Sequence, residues 1–92
     1  MVPRDIESPG DLAEVIRTVA RAVRDGDLRQ VTTGTRSFAT AVDIMAIAPE
    51  GPWPDYLELH FESARTGKCF ELVVETYHGA GGRWGHADNP PA

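Results

Sequence analysis

Ninety-two residues, of which 41% are hydrophobic, 25% charged and 8% aromatic, have ordinary globular composition and enough chain for one core rather than two. Nine basic residues against fourteen acidic ones leave a formal charge of −5, which argues against nucleic acid as a partner because phosphates call for a net basic surface. No apolar run approaches the roughly 20 residues that cross a bilayer, and the first twenty residues, with Asp5, Glu7, Asp11 and Glu14 among them, lack the basic start and apolar centre of a signal peptide.

A single domain over residues 1–92 is therefore expected. Its one cysteine, Cys69, cannot close an internal disulfide, which fits a reducing cytoplasm. Eight of the nine basic residues are arginine, a hint of bacterial coding bias. A chain of this size buries only about 60–65% of its unfolded surface, so a partner or a second copy would add stability.

In chain order, the first element is a helix within residues 8–26. Ser8 is an N-cap residue and Pro9 sits where its missing N–H costs nothing. Leu12, Val15, Ile16, Val19, Ala20 and Val23 recur at spacings of three and four, an apolar stripe. Arg21 and Arg24 complement the negative end of the dipole, and Gly26 supplies a left-handed stop. Antiparallel strands are expected over residues 28–77. Leu28 to Thr33 reads as a short strand ended by Gly34. Residues 37–48 fit either element: Phe38, Val42, Met45 and Ala46 make a helical stripe, while Phe38, Thr40, Val42, Ile44 and Ala46 make one face of a strand. The β-branched residues and Pro49 favour strand. Prolines 49, 52 and 54 make the next segment a loop.

Two alternating strands follow, Tyr56 to Ser63 and Lys68 to Tyr77, joined by a hairpin loop whose Gly67 can take positive φ. Placing Ser63 opposite Lys68 sets Phe61 against Phe70, Leu59 against Leu72 and Leu57 against Val74. The other face then pairs His60 with Glu71 and Tyr56 with Glu75. A slip of two residues would oppose like charges, and a slip of one would mix the faces. Residues 78–92, with four glycines between 79 and 85 and then Asn-Pro-Pro-Ala, read as a glycine-rich loop and a frayed tail. The assembled fold class is α+β, one N-terminal amphipathic helix packed on one face of a three- to four-stranded antiparallel sheet.

One helix covers one sheet face. The other carries Glu58, Glu62, Glu71 and Glu75 with His60, Tyr56 and Tyr77 among them. It reads either as an ordinary solvated face or as a docking surface for a basic protein with the tyrosines as anchors. The same side chains match no established metal-ligand spacing, so no metal or other cofactor is expected. Cys69 opposite Glu62 has no activating partner and reads as a packing residue. Residues 79–82 lack the Lys-Ser/Thr of a phosphate loop. Trp53 between prolines and Trp84 near His86 could line a groove with His78 and Arg83, or each could plug the edge of a small core.

Three functional readings follow. The first is a non-catalytic interaction module, of the inhibitor, immunity or accessory-subunit kind, that binds a partner through the acidic face. The second is a homodimer built on that face or on an edge strand. The third is a small enzyme or ligand binder using His60, His78, Arg83 and the glycine-rich loop; with no paired catalytic groups at recognisable spacing, it ranks last and no catalytic residue is assigned.

Overall fold

In the computed structural model, which describes residues 3–31, 42–77 and 79–87, helix α1 spans Pro9–Arg24. Ser8 Oγ accepts from the Asp11 N–H at 3.1 Å, the N-cap bond expected of it. At the other end Gly26 adopts φ 85°. Its N–H donates to Val23 at 3.1 Å and the Asp27 N–H to Ala22 at 2.9 Å, the paired closing bonds of a Schellman motif. Leu12, Val15, Ile16 and Val19 are buried along the stripe, with Ala20 and Val23 packed against its margin.

Among the described residues the sheet has five antiparallel strands, not three or four: β1 (Arg4–Ile6), β2 (Leu28–Val31), β3 (Tyr56–Ser63), β4 (Cys69–Glu75) and β5 (Gly81–His86), in the spatial order β1-β5-β4-β3-β2. The β3–β4 register is the one argued from charge: Phe61 faces Phe70, Leu59 faces Leu72, Leu57 faces Val74 and His60 faces Glu71. Strands β3, β4 and β5 form a meander. The chain enters at one edge as β1, crosses the apolar face as α1, and returns at the other edge as β2. Arg4 ties that crossing down, pairing with Asp11 at 2.7 Å and Glu14 at 3.0 Å on the helix.

The two additional strands correct the sequence reading. Residues 81–86, expected to be loop, form β5, paired along its length with β4. The glycines there serve close approach rather than turning. A Cβ on Gly82 would collide with the Val73 carbonyl and lie 2.8 Å from Val74 Cα, and Gly85 lies under the Arg83 guanidinium. Trp84 is what fastens the strand. It is 3% exposed, stacked on Phe70 at 5.5 Å and set edge-on to Phe61 at 5.5 Å. Strand β1, three residues long, pairs with β5 and buries Ile6.

Residues 37–48 also depart from the strand expectation in the part described. Ile44–Ala46 is a 3-10 turn capped by Asp43, whose Oδ1 accepts from the Met45 N–H at 2.9 Å. Gln30 supplies what a neighbouring strand would have supplied. Its amide donates to the Val42 carbonyl at 2.7 Å and accepts from the Ile44 N–H at 2.8 Å. Ile44 is thereby seated in the core without a ladder. Residues 32–41, which include the expected end of β2 and the turn at Gly34, lie outside the described residues, as do His78 and residues 88–92.

Candidate functional site

Alternation along each strand sends Leu57, Leu59, Phe61, Phe70, Leu72, Val74 and Trp84 toward the helix. Tyr56, Glu58, His60, Glu62, Glu71 and Glu75 share the opposite face, as expected from the sequence. The face is not uniform. Glu58 and His60 are 4% and 7% exposed, the charged or polar residues buried most fully among those described. His60 Nε2 lies 2.7 Å from Glu58 Oε2, and no described residue hydrogen-bonds His60 Nδ1. Two residues apart on β3, they stack along one side of the strand. Burying such a pair is costly, and its mutual attraction offsets desolvation only while both partners remain.

Two of the other carboxylates, Glu71 and Glu62, pair with arginines. Glu71 is held by Arg83 at 2.7 Å, with Arg83 also donating to the His86 carbonyl at 3.2 Å. Glu62 pairs with Arg29 across the β2–β3 ladder at 2.9 Å. The negative charge of the face is thus interrupted by two arginines as well as by His60. Arg83 reaches the face because residues 81–86 are a strand, and Arg29 because β2 runs alongside β3. Asp5 on β1 faces Arg83 and adds a further carboxylate at the edge. Among the described residues the face still carries five carboxylates (Asp5, Glu58, Glu62, Glu71, Glu75) against two arginines. Tyr56 and Tyr77 are 40% and 66% exposed beside it.

The second cluster singled out from the sequence is not brought together. Trp84 points into the core, whereas Arg83, its neighbour on β5, points to the opposite face. Trp53 is half-buried against the core and donates from Nε1 to the Ala48 carbonyl at 3.2 Å. A groove combining these side chains does not form, and His78 lies outside the described residues. Among the described residues no three His, Cys, Asp or Glu side chains converge as a metal site.

A feature that sequence reasoning missed lies on the helix side of the sheet. A cleft of about 350 Å³ opens between the C-terminus of α1 and the β3–β4 hairpin, lined among others by Asp27, Leu28, Arg65, Lys68 and Phe70. Its two walls are tied together by the Ala64 N–H donating to the Asp27 carbonyl at 3.0 Å. Asp27 and the hairpin loop at residues 64–67 are 37 or more positions apart in the chain, so no local pattern announces their meeting.

No family model, curated protein or solved structure matches the chain. No helix among the described residues is long and apolar enough to cross a membrane.

Proposed function

We propose that the protein is a non-catalytic interaction module that docks a basic protein partner on the sheet face opposite α1. The observation that carries this reading is the composition of that face: among the described residues carboxylates outnumber arginines on it, and two exposed tyrosines stand beside it. An excess of one sign steers an oppositely charged partner into contact, and tyrosine supplies amphipathic contact area once it arrives. Glu58 and His60, being buried, act in this reading from beneath: they brace the strand that presents Tyr56 and Glu62. Glu71, Glu75, Tyr56 and Tyr77 are the groups that meet the partner. The lone thiol is in keeping with work in a reducing, cytoplasmic setting.

The test uses a lysine-rich peptide as probe, titrated into the protein and followed by amide chemical shifts at low and high salt. Shifts concentrated at Tyr56, Glu71, Glu75 and Tyr77, weakened by salt and by the Glu71→Gln, Glu75→Gln double variant, support the reading. Shifts spread evenly over every exposed carboxylate, α1 included, overturn it. Sedimentation of the protein alone covers the dimer alternative: a wild-type dimer that tightens on the same substitutions assigns this face to a second copy instead.

A further inference from the structure

The cleft beside the hairpin has a charge arrangement that the fold itself does not use. Asp27 stands on one wall, and Arg65 and Lys68 on the other. Among the described residues none of the three takes part in an ion pair, although six ion pairs without histidine form elsewhere among them. Between them the floor is apolar: Leu28 and Phe70 at the margin of the core, with Ala22 from the last turn of α1.

The walls are preorganised. Asp27 is placed by the Schellman closure of α1. The hairpin is stiffened by Ser63 Oγ, which accepts from the Arg65 and Thr66 N–H groups at 3.3 and 3.2 Å, and by Thr66 Oγ1, which accepts from the Lys68 N–H at 3.2 Å. The Ala64-to-Asp27 bond fixes the distance between the walls.

From this geometry we infer that the cleft is a binding site for a small zwitterion with an apolar side chain, of the free amino acid class. The ligand ammonium meets Asp27, its carboxylate meets Arg65 and Lys68, and its side chain rests on Phe70 and Leu28. A lone anion would gain the two cations but would face Asp27 unpaired. A lone cation would suffer the reverse. Only a ligand with both charges satisfies both walls. A volume of about 350 Å³ accommodates a molecule of that size with water at its rim. The site lies on the helix side of the sheet, away from the face proposed to dock a partner, so the two can be tested separately.

Leucine is the probe, titrated into the intact protein with amide shifts as readout. Saturable shifts are expected at Asp27, Leu28 and residues 63–68 and not on the opposite sheet face. N-acetyl-leucine, which lacks the ammonium, and leucinamide, which lacks the carboxylate, should each bind about two- to fivefold more weakly, the loss that one exposed ionic contact accounts for. Asp27→Asn should weaken leucine and leave N-acetyl-leucine unchanged or tighter. Absence of saturable shifts at the cleft overturns the site. N-acetyl-leucine binding as well as leucine removes Asp27 from it and overturns the zwitterion assignment.

Discussion

Replacing Gly82 by alanine should cost far more than replacing Gly85 by alanine, although both glycines lie on the same short strand three residues apart. A Cβ at position 82 runs into the β4 backbone, colliding with the Val73 carbonyl and lying 2.8 Å from Val74 Cα. Backbone held in a ladder cannot rotate away as a side chain can, so β5 must back off from β4 by more than half an ångström, well short of ordinary contact as it stands. That overpacking, with one ladder bond weakened and Trp84 pulled from its stack on Phe70, costs about 3 kcal/mol. For a domain of this size it lowers Tm by roughly 12–24 °C. At position 85 the Cβ would crowd the far end of Arg83, 2.5 Å from Nη2, and meet Pro3 Cβ at an ordinary 3.6 Å. Arg83 can swing aside at the expense of a half-exposed ion pair with Glu71, which is worth less than about 1 kcal/mol. Thermal unfolding followed by far-ultraviolet circular dichroism measures both variants, and tryptophan fluorescence reports whether Trp84 has moved. A Gly82→Ala variant that melts within a few degrees of wild type, or a Gly85→Ala variant that melts lower than it, refutes the close-approach argument.

Val19 is fully buried in mid-stripe, so Val19→Asp places an unpaired charge between α1 and the sheet and should unfold the domain or lower its melting temperature drastically; near-wild-type melting would mean the helix is not packed as described. His60 Nε2 and Glu58 Oε2 meet at 2.7 Å, so the Glu58→Met, His60→Leu double variant should cost less than the sum of the two single variants, because either change alone already breaks that buried contact. A denaturant-based double-mutant cycle decides this, and strictly additive effects would show that the two side chains are not coupled. The Glu7 N–H hydrogen-bonded to the Asp11 carboxylate, with Arg4 adding to it against the opposing effect of burial, holds Asp11 below its ordinary value. A carboxyl depressed in the folded state contributes stability above its unfolded pKa and loses it as the pH falls toward the folded one. Asp11→Asn should therefore flatten the loss of stability below about pH 4; unchanged acid sensitivity would assign that loss to other carboxylates.

Local features carried most of the framework. The Ser8 cap, the spacing of Leu12 through Val23 and the Gly26 stop define α1 without reference to the rest of the chain, because a helix satisfies its own backbone and shows its buried stripe at a fixed period. The β3–β4 hairpin was legible for a related reason: both strands alternate cleanly, the loop is short, and wrong registers oppose like charges. From these two elements follows the α+β class and the set of carboxylates that share a face. Tertiary structure decided what depended on partners distant in the chain. Strand β5 was hidden because its glycines serve the approach of β4's backbone and the cover of Arg83, requirements that exist only once the strand is seated. Strand β1 is too short to show a period, and Ile44 enters the core on a 3-10 turn because Gln30, fourteen residues earlier, satisfies its backbone. The candidate surfaces divide in the same way. Alternation placed Glu58, His60, Glu62, Glu71 and Glu75 together, but which of them are buried and which are neutralised by Arg29 or Arg83 depended on strand order. The cleft of Asp27, Arg65 and Lys68 depended on it entirely, since a charge pattern across two elements exists only where the fold brings them side by side.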